Sequence, residues 1–248
     1  MNEQLLPLLR ARPGQIAKRA LVVGDPDRAA TAAKLLDDVQ EVGRFREYLT
    51  FTGHHRDLPI TICSHGVGGS GAAVAFHELF LAGVHTVIRA GTCGALQPGI
   101  ADGTIVVGTG AVRNDGISQT LIPPEYPAVA HYEVVSNLLN ACATHGLQDA
   151  PTGIVLTAAN FYPGLLDSQM DLWIKAQVVA VEMEFATLLT MAGLRGLRAG
   201  GLFVTDGNLA ENESDAEIED FAYNPHRDVV DEGKAKMLVI ALDALSRL

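Results

Sequence analysis

The chain is poor in the residues that would tie it to several common classes of protein. Its three cysteines, Cys63, Cys93 and Cys142, lie far apart with no C-x-x-C pair. That excludes a disulfide framework or a cysteine zinc site and fits a reducing compartment. Its eight histidines form no H-x-x-x-H or H-E-x-x-H motif, so no bound metal is expected. Lysine and arginine number 18 against 29 acidic residues, a formal net charge of −11. Nucleic acid and anionic membrane surfaces are therefore disfavoured as partners. No apolar run approaches the roughly 20 residues that cross a bilayer. Residues 1–12 lack the basic start and apolar stretch of a signal peptide, and a cytoplasmic, soluble protein is expected.

Aromatic residues are scarce too, at 6%, whereas 48% of the chain is apolar and 25 residues are glycine. This balance suits buried parallel strands and tight strand-to-helix turns. Strand-like runs occur at 20–23, 46–51, 60–64, 84–90, 104–108, 153–157, 178–181 and 201–205. Helix-like runs occur at 28–36, 72–81, 132–145, 184–194 and 229–248, the last with Met237, Ile240, Ala241, Ala244, Leu245 and Leu248 at helical spacing. Alternation of this kind predicts an α/β fold with a mainly parallel sheet covered on both faces. No linker or repeat interrupts it, so residues 1–248 read as one domain.

Polar residues at the carboxyl ends of such strands face the ligand crevice. Asp25 and Arg28, Arg89 and Thr92, Phe161 and Tyr162, Glu182 and Glu184, and Asp206 all stand there. At 24–28 (GDPDR), Gly24 lets the backbone approach an anion and the following helix start offers free N–H groups, with Arg28 in its first turn; a plain turn with a solvated arginine has the same sequence. Arg89 closes a nearly all-apolar strand, and a buried arginine needs a counter-ion. A bound dianion, with the Thr92 hydroxyl beside it, or an acidic side chain would serve. Cys93 reads as packing. Residues 66–71 match G-x-G-x-x-G, but the next strand ends in Arg89 where a dinucleotide fold needs an acid, so this is read as a tight turn lining the pocket. His65 before it reads as a satisfied strand-end histidine.

Glu182, Met183 and Glu184 put two carboxylates and a thioether between a strand and a helix, which suits a vicinal diol and the face of a sugar or base. One acid at a helix start would need no such explanation. Asp206 ends an apolar strand, the setting in which a carboxylic acid keeps its proton and can donate it, although an Asp-Gly turn is also consistent. The acidic stretch 211–220 reads as a solvated loop or lid.

The ordered set GDPxR (24–28), REY (46–48), RAGTCG (89–94), FYPG (161–164) and EME (182–184), with YPAVA (126–130) and EFATLL (184–189), resembles the nucleoside phosphorylase I family. That family contains uridine phosphorylases, hexameric purine nucleoside phosphorylases and related nucleosidases. The resemblance spans nearly the whole chain and implies a single-domain α/β fold with a mixed, mainly parallel central sheet flanked by helices. It implies phosphate binding by Gly24, Arg28, Arg89 and Thr92, with Arg46 inserted into a neighbouring subunit's site. The active unit would then be a dimer and the usual assembly a trimer of dimers, a homohexamer. Met183 and Glu184 match the ribose-binding pair, with Glu182 alongside, and Phe161 and Tyr162 would face base or sugar.

The implied reaction is phosphorolysis of a nucleoside, with inorganic phosphate as co-substrate and no cofactor. Arg89 would help fix the phosphate, and Asp206 occupies the position of the acid that protonates a purine at N7. Uridine phosphorylases generally lack that acid. They carry Gln and Arg after FYPG, where this chain has Leu165, Leu166 and Asp167. A purine is therefore expected, with uridine phosphorylase, a 5′-methylthioadenosine-type phosphorylase or a nucleosidase as alternatives. Two features depart from the family pattern. Leu8 stands where a histidine usually reaches the 5′-hydroxyl across the dimer, which leaves room for 5′-deoxy or 5′-methylthio substrates. No basic residue follows Asp206 through residue 220, where bacterial purine enzymes have an assisting arginine. Some relatives also hold a monovalent cation near the position of Glu47.

Overall fold

The computed structural model describes residues 4–162, 164–166, 168–211 and 225–248. Its elements run β1 (Arg19–Val23), α1 (Pro26–Ala33), β2 (Asp37–Phe45), β3 (Tyr48–His55), β4 (Leu58–Ser64), α2 (Gly69–Leu81), β5 (Thr86–Ala95), β6 (Ile105–Asn114), α3 (Ser118–Leu121), β7 (Ala128–Val129), α4 (Tyr132–Thr144), β8 (Thr152–Ala158), α5 (Met170–Lys175), β9 (Ala180–Glu182), α6 (Phe185–Gly193), β10 (Arg198–Asn208) and α7 (Asp228–Leu245). The strands β4, β1, β5 and β10 lie side by side and parallel, which accounts for their unbroken apolar runs. The rest of the sheet is mixed. β10 pairs antiparallel with β6, β6 and β8 run parallel, β8 and β9 run parallel, and β9 returns antiparallel to β5. These five strands therefore close into a ring, from which β1, β4, β3 and β2 extend as an open wing.

The wing is a meander with two tight turns. Arg46 at one and Arg56 and Asp57 at the other take left-handed backbone angles, so β2, β3 and β4 can fold back antiparallel. β2 was not expected from the sequence, because residues 37–45 are largely exposed and polar and carry no apolar alternation. It forms by pairing with β3 at the sheet edge. On one face α2 and α6 bury Phe76, Leu79, Phe185 and Leu188; on the other α1, α4 and α7 bury Ala29, Leu138, Met237, Ile240 and Leu245. Among the described residues, no helix is long and apolar enough to cross a membrane.

Two strands run further than their apolar stretches suggest. β5 continues through RAGTCG to Ala95, because Thr92 pairs with Val204 of β10 and Gly94 with Val181 of β9. β10 likewise continues past Asp206. Strand alternation then decides the site: Ile88 and Ala90 enter the α1/α4/α7 core, while Val87 and Cys93 face α2 and α6, and Arg89 shares their side.

Candidate active site

Arg89 is 3% exposed and gathers the site around itself. Its Nε donates to Glu182 Oε2 at 2.9 Å, its Nη1 to His65 Nε2 at 2.9 Å, and its Nη2 to Glu184 Oε2. The guanidinium lies over the Phe203 ring, 5.7 Å from its centroid. Gly91 makes room on the strand, since a Cβ there would stand 2.8 Å from Nη2. Both counter-ions that the sequence left open are thus compatible: acidic side chains hold Arg89, and N–H groups remain. Burial works against its charge, but Glu184 and Glu182 outweigh that and raise its pKa.

The two carboxylates differ in what they have left to offer. Glu182 Oε1 accepts from the Thr157 hydroxyl at 2.6 Å and the Phe185 N–H at 2.9 Å. Its Oε2 accepts from Arg89, from the Glu184 N–H at 2.8 Å and again from Phe185 at 2.9 Å. Its side chain is 0% exposed. Glu182, expected alongside the ribose-binding pair, is thus engaged by Arg89, Thr157 and the start of α6 among the described residues. Glu184 accepts only from Gly68 N–H, at 2.5 Å, and from Arg89 among described contacts, which leaves lone pairs for a diol. Burial pushes the Glu184 carboxyl up, Arg89 pulls it down, and Glu182 adds to the rise.

Two glycine turns roof this cluster. β1 and β4 run parallel, so the turns that follow them meet: Gly66 N–H donates to Gly24 O at 2.9 Å. Asp25 is spent on structure, its carboxylate capping α1 through the Asp27 N–H at 2.9 Å, which with Pro26 starts the helix earlier than its apolar residues suggested. Arg28 in the first turn of α1 is half-buried, and its charge is felt at both His65 and Glu184. The glycine-rich turn delivers Gly68 N–H to Glu184.

The remaining expected residues are spread around this centre. Thr92, three residues beyond Arg89 on β5, and Met183, between the two glutamates, are half-buried. Asp206 is 6% exposed on β10, beside Cys93, whose thiol is pushed well up by burial and then by Asp206 and Glu182. Cys93 is thus inert packing. Phe161 and Tyr162 are 53% and 61% exposed after β8, edge-to-face at 5.0 Å. Arg46 is exposed at the β2–β3 turn with its guanidinium over Phe45, 5.5 Å from the ring centroid, and is not among the partners of Arg89. Its neighbour Glu47 packs on Gly66, where a Cβ would stand 2.7 Å from Glu47 Cγ. Leu8 is half-buried, its N–H donating to Glu78 on α2. Pro163, Asp167 and residues 212–224, with most of the expected acidic lid, lie outside the described residues.

Four contributors escaped the sequence reading. His65 reads from sequence as a satisfied strand-end histidine, and it also touches Arg89. Thr157 ties Glu182 to the N–H of Ala186 at 2.9 Å. Gly91 gives the guanidinium its space. Arg227, beyond the stretch 208–220 that has no basic residue, donates to the Asp206 carbonyl at 2.8 Å and pairs with Asp102. Only His65 had a sequence signal, its place immediately before the glycine turn.

A family model described as the phosphorylase superfamily matches residues 18–235. A guanosine phosphorylase of Halorubrum lacusprofundi is 36% identical over 243 residues, 98% of each chain. A uridine phosphorylase of Escherichia coli is 33% identical over 247 residues, covering 94% of this chain and 93% of its own. The crystal structure of a purine nucleoside phosphorylase from Toxoplasma gondii in complex with immucillin-H superposes with a TM-score of 0.91 at 30% identity, covering 100% of this chain and 97% of the other. On the family model and these relatives, the chain belongs to the phosphorylase superfamily.

Proposed function

We propose that the chain cleaves purine nucleosides with inorganic phosphate, releasing the free base and ribose 1-phosphate. The observation that carries this reading is the pairing of buried Arg89 with Glu184 beneath the Gly24 and Gly66 turns. It sets a phosphate donor beside an acceptor for the ribose hydroxyls. Arg89, Glu182 and Glu184 together sum to one negative charge when ionised, so this centre alone does not attract a dianion. We assign the missing charge to Arg28 and to Arg46 of a second copy, which makes a dimer the proposed active unit; a homohexamer is the proposed assembly. Arg46 suits that role: it stands exposed at a turn whose neighbouring residue rests on the glycine-rich loop.

In the reaction, phosphate held by Arg28, Arg89, the shared Arg46, Thr92 and the Gly24 backbone faces the anomeric carbon. The glycosidic bond loosens into an oxocarbenium-like state while Glu184 and Met183 keep the sugar in place. Asp206 donates a proton to N7 of the purine, and Arg227 at its carbonyl fixes the end of β10. Phe161 and Tyr162 supply apolar surface for the base. No step calls on a metal or a cofactor. The cytoplasm, where nucleosides and phosphate are both available, is the proposed compartment.

Uridine is the second reading, favoured by the uridine phosphorylases among the relatives. A panel of inosine, guanosine, adenosine, uridine and 5′-methylthioadenosine in phosphate buffer separates them. Purine nucleosides are expected to exceed uridine, and the reverse order would contradict the purine assignment. Asp206→Asn should lower purine kcat by about 10²-fold or more with phosphate KM little changed; unaltered turnover would remove Asp206 from the mechanism. Leu8 predicts that loss of the 5′-hydroxyl costs little, so a large preference for inosine over its 5′-deoxy analogue would contradict that.

A further inference from the structure

We propose that His65 is a positioning residue of the phosphate site: a neutral imidazole whose lone pair orients the guanidinium of Arg89 and ties it to the glycine-rich turn. The proposal rests on the phosphorylase reading and adds a residue to it.

Hydrogen-bond chemistry decides the state of the ring. His65 is 0% exposed, with its N–H donating to Val23 O at 3.0 Å and its ring edge-on to Phe76 at 5.3 Å. Nδ1 stands 2.9 Å from the Gly66 carbonyl oxygen, and Nε2 stands 2.9 Å from Arg89 Nη1. A carbonyl only accepts and a guanidinium only donates. The Nδ1-protonated neutral tautomer therefore satisfies both contacts, whereas an imidazolium would set N–H against N–H. The surrounding charges divide: cations oppose a positive ring and carboxylates would favour it. Arg89 and Arg28 oppose a positive ring, Glu182 and Glu184 lie on the other nitrogens of Arg89, and Glu47 packs on Gly66. Burial, followed by Arg89, holds the His65 pKa well below its ordinary value.

The consequence is a count of donors. A guanidinium has five N–H bonds. Glu182, His65 and Glu184 engage one on each nitrogen, which leaves one on Nη1 and one on Nη2 for two oxygens of a phosphate. Of the three ligands of Arg89, His65 is the uncharged one. It steadies Nη1 without adding another negative charge beside an incoming dianion. Its Nδ1–H meanwhile fixes the carbonyl of Gly66, which has a left-handed φ of 75° at the turn facing Gly24.

The test uses two variants of similar size and polarity. Glutamine can place its amide where Nε2 stands and accept from Arg89; asparagine can reach Gly66 O but is too short for Arg89. Inorganic phosphate affinity is measured by calorimetry, with KM for phosphate and nucleoside, kcat and melting temperature alongside. His65→Asn is expected to weaken phosphate binding about tenfold, with nucleoside KM within about twofold, and His65→Gln to recover most of the loss. Equal phosphate affinity in the two variants would overturn the proposal, as would losses in every parameter that merely follow the melting temperature. Nitrogen NMR of labelled histidine in the wild-type chain needs no variant. It should find His65 neutral and protonated on Nδ1 near pH 6–7; an imidazolium or the other tautomer would overturn the proposal. A wild-type chain that binds no phosphate would instead bring down the phosphorylase reading itself.

Discussion

Two buried ionic clusters lie on opposite faces of the sheet, and they mirror each other. At one, the cation Arg89 is held by Glu182, Glu184 and His65. At the other, the anion Asp243 of α7 accepts from His55 Nε2 at 2.9 Å, His145 Nε2 at 2.8 Å and Arg56 Nη2 at 2.8 Å. Asp243 is 4% exposed, and its partners come from the β3–β4 turn and the end of α4. It staples three elements. Arg89 sits under two glycine turns and keeps N–H groups in reserve. Buried charge alone therefore does not mark a site in this protein; unspent hydrogen-bonding capacity beside open backbone does.

The contrast can be broken by substitution. Arg89→Ala strips a counter-ion from two buried carboxylates and removes the phosphate donor. It should cost roughly 3–5 kcal/mol of stability and lower kcat/KM by about 10³-fold or more; turnover near wild type would contradict the assignment. Gly91→Ala puts a methyl against the guanidinium from the strand side. Phosphate KM should rise about tenfold with a small drop in melting temperature, and an unchanged KM would mean that Arg89 tolerates displacement. Asp243→Asn is the opposite case. It should cost about 1–3 kcal/mol and leave kcat/KM within about twofold.

The Asp243 effect has a pH signature. Burial would raise its carboxyl, but the hydrogen bonds from His145 and His55 and the charge of Arg56 prevail, and its pKa is lowered. A carboxylate held below its unfolded value contributes fully above that value and loses its contribution as pH falls through the folded one. The melting-temperature gap between wild type and Asp243→Asn should thus persist at neutral pH and close below about pH 4. A gap that is constant into acid would show that Asn disturbs packing and not charge.

The same comparison shows what could be read from the sequence. Arg89, Glu182 and Glu184 announced themselves because each interrupts or follows an apolar run, and the glycine turns lie where parallel strands end. The Asp243 staple left no such trace, since its histidines lie 188 and 98 residues away along the chain. Within the site, Glu182 and Glu184 flank Met183, and only the family resemblance sets Glu184 with Met183 and Glu182 alongside. Their division of labour depends on Thr157 and the α6 N–H groups, which tertiary structure alone brings to Glu182. The ring closure of the sheet was hidden for a related reason: the apolar run ends at Ala90, yet β10 and β9 pair with the glycines that follow and keep them extended. Arg227 was beyond reach because its approach to Asp206 bridges a long intervening segment.

The central claim is that phosphate, and not water, is the acceptor of the ribosyl group. Inosine or guanosine cleavage followed by phosphorus NMR, with and without inorganic phosphate, tests it directly. Ribose 1-phosphate should appear in step with the free base, and both should cease when phosphate is withheld. Free base with ribose, formed equally without phosphate, would contradict the account.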